Sequence, residues 1–235
     1  MGARKKKLVT MASVLGGIKL KVGLIDYEAG NTNSVSMALE YLGADVCLSN
    51  NPVDLKNCDR IVFPGVGAFY DAMCKLEKYG LISVINELVK SGVPFLGICL
   101  GMQLLFDEST ETIGAAEGTK SIKGLSILHG SIEKFDEKIL SGEDLKIPQI
   151  GWNSIDILKK DSKLYRGIDD GAYVYFVHSY HLKCKDRSDV ASTTVYGTTF
   201  DSSVEHGNVF GCQFHPEKSG EIGLKILSNF INYAD

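Results

Sequence analysis

The segment Gly97-Ile98-Cys99-Leu100-Gly101 constrains this chain more than any other. A run with the look of a buried strand, Pro94-Phe95-Leu96-Gly97-Ile98, leads into a cysteine with a glycine two residues away on each side. Met102-Gln103-Leu104-Leu105-Phe106 then reads as the start of a helix. Strand, sharp turn and helix in this order form the layout of a nucleophile elbow, with cysteine in place of the more familiar serine. The turn holds its central residue in a strained conformation at the carboxyl end of a sheet, and the helix behind it aims amides at the side chain. The plainer reading is a core cysteine on a Gly-rich turn.

A histidine with an orienting group is what such a cysteine requires. Val209-Phe210-Gly211-Cys212-Gln213-Phe214 reads as a buried strand that runs into His215-Pro216-Glu217. In extended backbone, residues two apart share a face, so Glu217 is expected beside the His215 ring. A free thiol titrates near 8.5, roughly, so an imidazole and a helix start both favour the reactive thiolate. His215 alone is equally a surface residue ending a strand; the elbow is what raises the catalytic reading. A third segment, the short strand Arg60-Ile61-Val62-Phe63 followed by Pro64-Gly65-Val66-Gly67, ends in a flexible loop. Amides of Val66 and Gly67 can join that of Leu100 as donors to a tetrahedral oxyanion.

Alternation of short apolar strands with amphipathic helices predicts an α/β fold. Its expected form is a doubly wound, mostly parallel sheet with flanking helices and a small antiparallel region. Expected strands are 21–26, 45–48, 60–63, 94–98, 173–178, 191–196 and 209–214, and expected helices 33–43, 81–91, 100–107 and 219–232. Leu81, Val84, Ile85, Leu88 and Val89 recur at helical spacing, as do Ile222, Ile226, Leu227 and Phe230, so both stripes are assigned to the core. Residues 113–171 are less periodic, and shorter antiparallel strands, one of them near 124–134, are expected there among loops.

At 235 residues the chain can bury one sizeable α/β core, and no linker or repeat divides it. The net charge of −4 gives no electrostatic case for nucleic acid. No apolar run is long enough to span a bilayer. The six cysteines (47, 58, 74, 99, 184 and 212) contain no C-x-x-C pair and are read as reduced thiols in a cytoplasmic protein. His178, His181 and His215 lack a carboxylate or cysteine at ligand spacing, so no metal and no cofactor are expected. Residues 1–19, with Arg4-Lys5-Lys6-Lys7 before an apolar stretch, superficially resemble a signal peptide. Without a clear cleavage site, they are read as a disordered extension or the product of an upstream start before Met11. The working domain is placed at 20–235.

The segments FPGVGAF (63–69), GICLGMQLLF (97–106), IGWNS (150–154), YFVHSY (175–180) and FGCQFHPEKS (210–219) resemble class I glutamine amidotransferases. The PGVG, GWN and YFVHSY segments narrow the resemblance to the glutaminase subunits of imidazole glycerol phosphate synthase, an enzyme of histidine biosynthesis. It runs from about Lys21 to the C-terminus. The resemblance implies a Cys99 nucleophile, a His215 base and acid, and Glu217 as the orienting carboxylate. It places Gln103 and Glu111 around the glutamine, with Glu111 on the α-amino group. It places His178, Ser179 and Tyr180 along the substrate pocket, mainly through backbone. The partner it implies is a (β/α)8-barrel cyclase subunit in a heterodimer. Trp152, Asn153 and the Asp26–Asn31 loop are candidates for that interface, although Trp152 fits simple core packing equally well.

The chain departs from the family pattern at three places. Glu28 stands where a glycine is usual, Gln149-Ile150 where His-Met is usual, and His129-Gly130 where Pro-Gly or Glu-Gly is common. The change before Trp152 keeps open a sister amidotransferase that feeds a different synthase, such as one amidating a sugar nucleotide. Two further readings are a stand-alone thiol hydrolase and a catalytically silent scaffold. Gln103 and the His-x-Glu order oppose the hydrolase, and the intact triad opposes the scaffold.

Overall fold

The computed structural model describes residues 19–28 and 30–233; the expectations for residues 1–18 lie outside them. The first half of the chain alternates strand and helix. β1 (Lys21–Ile25), α1 (Thr32–Tyr41), β2 (Asp45–Ser49), α2 (Pro52–Lys56), β3 (Arg60–Gly65), α3 (Phe69–Lys78), α4 (Leu81–Lys90), β4 (Phe95–Cys99) and α5 (Leu100–Gln103) follow in order. The second half is strand-rich: β5 (Glu108–Ser109), β6 (Ile122–Lys123), β7 (Gly130–Lys134), α6 (Glu137–Gly142), β8 (Gln149–Ser154), β9 (Asp156–Ile157) and β10 (Tyr173–His178). β11 (Tyr180–Cys184), β12 (Val190–Tyr196), β13 (Thr198–His206), β14 (Val209–Cys212) and α7 (Gly220–Asn232) complete it.

Local chemistry explains several of these boundaries. Asn51 accepts the Val53 amide at 2.9 Å and Pro52 opens α2, while Asp136 caps α6 through the Lys138 amide at 2.8 Å. α4 buries Leu81, Val84, Ile85 and Leu88, the stripe expected from the sequence.

One mixed sheet runs β2-β1-β3-β4-β14-β13-β11-β7-β5-β6, and β12 pairs with β13 and β9. Its first five strands are parallel. From β14 onward the pairing is antiparallel, apart from β5 on β7. β8 and β10 form a separate antiparallel pair. Alternate side chains of the parallel strands feed two cores. Val22, Leu24, Val62, Leu96 and Ile98 pack with α1 and α7, whereas Ile61, Phe63 and Phe95 pack with α2, α3 and α4. Such two-sided burial is why these strands are near-continuous apolar runs.

Three expectations change. The helix expected over 100–107 stops at Gln103, because the carbonyls of Leu104, Leu105 and Phe106 are taken by amides of residues 125–128. The strand expected near 124–134 begins only at Gly130. The strand expected over 209–214 ends at Cys212, and Pro216–Lys218 is a 3-10 turn. The helices at 52–56 and 69–78 and the strands at 180–184 and 198–206 had no counterpart among the expected elements, whereas 149–154 is one of the short antiparallel strands expected within 113–171.

Candidate active site

Cys99 sits at the junction of β4 and α5 with φ 53° and ψ −113°. A β-carbon forces a real cost on that conformation, about 1–3 kcal/mol, which persists only where the surroundings impose it. The surroundings are the two glycines. An alanine methyl at Gly97 would fall 2.7 Å from the Met102 backbone, and one at Gly101 would fall 1.8 Å from the Phe63 carbonyl oxygen. Both positions are therefore points of backbone-to-backbone contact, and the elbow exists because neither carries a side chain.

Parallel register brings Gly65 level with Cys99 and Ile98 level with Cys212, so the ends of β3, β4 and β14 meet. A cavity of about 290 Å³ opens there. Of the residues expected in the site, Cys99, Leu100, Val66, Gly67, Gln103, Glu111, His178, Ser179 and Tyr180 all line it. Pro148 and Val177 line it as well; Val177 lies within the YFVHSY segment, whereas Pro148 carried no signal in the sequence. A groove of about 400 Å³ along Asp144–Pro148 and Tyr196 shares Pro148 but is lined by no cysteine or histidine.

His215 and Glu217 lie behind the thiol, their side chains 1% and 0% exposed. His215 Nδ1 donates to Glu217 Oε1 at 2.8 Å. The pair meets across the Pro216 turn rather than along one strand face, so the contact was anticipated but its backbone geometry was not. The His215 amide donates to the Tyr175 carbonyl at 2.9 Å, and Ser219 Oγ donates to the His215 carbonyl at 2.6 Å. His215 Nε2 has no nitrogen or oxygen partner; the group beside it is Cys99. Burial pushes the imidazole down, but the Cys99 sulfur and then Glu217 outweigh it and raise it to about 10. The raised imidazole can hold a proton beside the Cys99 sulfur.

Asn31 is a member of the site that the sequence did not reveal. Its Nδ2 donates to Glu217 Oε1 at 2.6 Å, on the same oxygen that accepts His215. The only signal was its place in the Asp26–Asn31 loop. Within that loop Glu28 has φ 61°, a left-handed conformation that explains why glycine is usual there. Its carbonyl accepts Lys75 Nζ at 2.8 Å, and its carboxylate is held by the Tyr79 hydroxyl.

Glu111 Oε2 accepts the Phe69 amide at 3.1 Å, and burial raises its carboxyl above the usual range against that bond. His178 is buried with both ring nitrogens engaged: Nδ1 lies 2.8 Å from the Tyr180 carbonyl and Nε2 3.0 Å from the Gln149 side chain. Burial depresses its pKa to about 3, so the ring is neutral. Among the described residues, no cluster of three His, Cys, Asp or Glu side chains is placed to hold a metal.

The sequence pattern of the family described as glutamine amidotransferase class-I matches residues 23–233. The chain belongs to that family. Among the amidotransferases similar to it is the imidazole glycerol phosphate synthase subunit HisH of Sulfurimonas denitrificans. That protein is 44% identical over 214 residues, covering 91% of this chain and 99% of the relative. The subunit of the same name from Methanocaldococcus jannaschii is 47% identical over 210 residues, covering 89% and 98%. Solved structures extend the likeness at the level of fold. PurLQS from Thermotoga maritima superposes with a TM-score of 0.68 at 20% identity, covering 92% and 99% of the two chains. The glutaminase domain of Trypanosoma brucei CTPS gives 0.60 at 16%, covering 92% and 96%.

Outside the cavity, Trp152 is 55% exposed and Ile150 63%, both on one face of β8. Trp152 meets Tyr175 edge-on at 6.1 Å and is not a core residue. Asn153 instead donates to the Val195 carbonyl at 2.8 Å. No helix among the described residues is long and apolar enough to cross a membrane.

Proposed function

We propose that this amidotransferase is the glutaminase subunit of an imidazole glycerol phosphate synthase and works in histidine biosynthesis. The identity to subunits of that name over nine-tenths of the chain supports the assignment. For the chemistry, the observation that carries most is a strained Cys99 at the cavity floor with the buried His215–Glu217 pair behind it.

In the proposed reaction the Cys99 thiolate attacks the side-chain carboxamide carbon of glutamine. Amides of Leu100 and of the Val66–Gly67 loop receive the oxyanion. His215 passes its proton to the departing nitrogen, and ammonia leaves a glutamyl thioester on Cys99. The neutral imidazole then draws a proton from water, which attacks the thioester and releases glutamate. Glu217, steadied by Asn31, keeps the ring oriented through both steps. Glu111 faces the substrate's α-amino group, and the 178–180 segment borders its α-carboxylate end.

Ammonia freed into water would be protonated and lost as a nucleophile. The proposed acceptor is a cyclase subunit with a (β/α)8 barrel, docked on the face that exposes Ile150 and Trp152. There ammonia would complete the imidazole ring of imidazole glycerol phosphate. The cytoplasm is the compartment consistent with a reactive thiol.

The test is glutamate release from glutamine, with and without the organism's own cyclase subunit and its nucleotide substrate. Strong stimulation by the two together is the expected result. Cys99→Ala is expected to abolish turnover and leave complex formation intact. Glutamine turnover that survives in Cys99→Ala refutes the nucleophile, and turnover indifferent to the cyclase refutes the partner.

A further inference from the structure

A buried line of hydrogen-bonding side chains runs from β8 to the reactive sulfur. Its members are Gln149, His178, Gln103 and Gln213, between 0% and 6% exposed. The Tyr180 carbonyl is one link, and it accepts only. His178 Nδ1 therefore carries the proton and donates to it at 2.8 Å, while Gln103 Nε2 donates to the same oxygen at 3.1 Å. The second Gln103 N–H donates to Gln213 Oε1 at 2.9 Å. With its oxygen occupied, Gln213 turns its NH2 toward Cys99 Sγ, 3.6 Å away. Reversing the Gln213 amide would set NH2 against NH2 at one end and a carbonyl oxygen against sulfur at the other.

The far end is fixed by the same logic. A neutral ring that donates from Nδ1 has a lone pair at Nε2. Gln149 Oε1 lies 3.0 Å from Nε2, and turning that carboxamide over, an exchange of O and NH2 in the same envelope, presents its NH2 to the lone pair. Gln149 stands where histidine is usual in the subfamily, and with its amide so turned it supplies a donor there without adding a titrating group. Every donor in the line is thus assigned, and the last one points at sulfur.

We propose that Gln213 is a catalytic residue whose carboxamide N–H donates to the Cys99 sulfur and holds it as an oriented thiolate. Gln149, His178 and Gln103 are the positioning residues that fix the sense of that donation. The proposal rests on Cys99 being the nucleophile. The titratable groups facing the sulfur are His215, with Glu217 behind it, Cys212 on β14 and Tyr27 after β1. His181 and His215 are those nearest His178. None of these changes when a glutamine of the line is replaced, so a shift in thiol reactivity reports on the amides.

The experiment is alkylation of Cys99 by iodoacetamide in the full chain, followed by mass spectrometry from pH 5 to 10, with and without glutamine. Gln213→Leu is expected to slow labelling at pH 7 by about tenfold and move the pH midpoint up by about one unit. Glutaminase kcat should fall in parallel, with KM within about twofold. Gln149→Leu should shift the midpoint the same way by less, and Gln149→His, which returns a donor, should recover most of that loss. A folded Gln213→Leu protein with the wild-type labelling profile overturns the proposal. If Gln213→Leu does not fold, an unshifted profile in Gln149→Leu overturns it instead. Failure of glutamine to protect Cys99 in the wild type overturns the nucleophile itself, whereas protection with unshifted variants overturns this proposal alone.

Discussion

A methyl group at Gly101 would stand 1.8 Å from the Phe63 carbonyl oxygen and 2.7 Å from its carbon. Real contacts do not fall below 3.0 Å, so Gly101→Ala drives α5 away from β3 by about 1.2 Å. That movement acts on the residues that matter, because Leu100 and Cys99 immediately precede Gly101 and Gly65 lies level with Cys99 on β3. Misplacing reacting groups by about 1 Å costs on the order of 100-fold in rate. Overpacking of this kind also costs about 1–3 kcal/mol of stability. At about 2–4 °C per kcal/mol for a chain of this size, the melting temperature should drop by roughly 4–8 °C for a cost near the middle of that range. The assay is glutamate release beside a thermal melt, with Gly142→Ala as the control. A methyl at Gly142 meets nothing within 4 Å, so that variant should keep full activity and a wild-type or slightly higher melting temperature. A Gly101→Ala enzyme within threefold of wild-type activity refutes the claim that close backbone contact aims the nucleophile.

Asn31→Ala removes a 2.6 Å donor from the buried Glu217 carboxylate. A bond to a charged group contributes about 1.5–3 kcal/mol, so kcat should fall by roughly 10- to 100-fold with KM little changed; an unaltered kcat rejects the role. Trp152→Ala should weaken cyclase binding by about 2–4 kcal/mol in calorimetric titration, if Trp152 is an interface anchor. The same change should leave the melting temperature of the free chain nearly untouched, since the ring is already more than half exposed. The His178 ring stays neutral in the fold down to about pH 3, whereas the unfolded chain takes up that proton near 6.5. Protons therefore favour unfolding in that window: the contribution is intact above 6.5 and is lost as pH falls toward 3, at about 1.4 kcal/mol per unit. His178→Asn should flatten the decline of denaturant midpoints between pH 6.5 and 5, and an identical decline rejects the assignment.

Legibility in the sequence followed how local each cause was. The elbow was readable because Gly97, Cys99 and Gly101 stand within five residues, between an apolar run and the start of a helix. The buried parallel strands were readable as apolar runs, and α4 and α7 as stripes at helical spacing. α3 was not, although Phe69, Ala72 and Leu76 make a stripe of their own, because it follows directly on the PGVG loop. β8 was not located, and β11 and β13 escaped, because they mix Gly, Asn, Ser, Asp and Lys with single apolar residues, a pattern shared with loops, and in β13 the polar Asp201, Ser202, Ser203 and Glu205 are themselves buried. The antiparallel half of the sheet is set by pairings between residues far apart in sequence, such as Cys184 with Gly130, and no window along the chain contains them.

The same distinction applies inside the site. Cys99, His215 and Glu217 declare themselves by chemistry, since thiol, imidazole and carboxylate in that order have a use together. Asn31, Gln149 and Gln213 do not, because an amide is ordinary on any surface and becomes informative only when buried and counted for donors and acceptors. Under the proposed mechanism those amides orient the groups around the Cys99 sulfur. Asn31 reaches the sulfur through Glu217 and His215, and Gln149 reaches it through His178, Gln103 and Gln213. The two lines share no side chain and approach Cys99 through different neighbours. Each starts next to a segment with surface exposure, the 26–31 loop in one case and Ile150–Trp152 in the other. Gln149 itself is only 2% exposed, so the second line is sealed at its outer end, and what reaches the surface there is its neighbour Ile150.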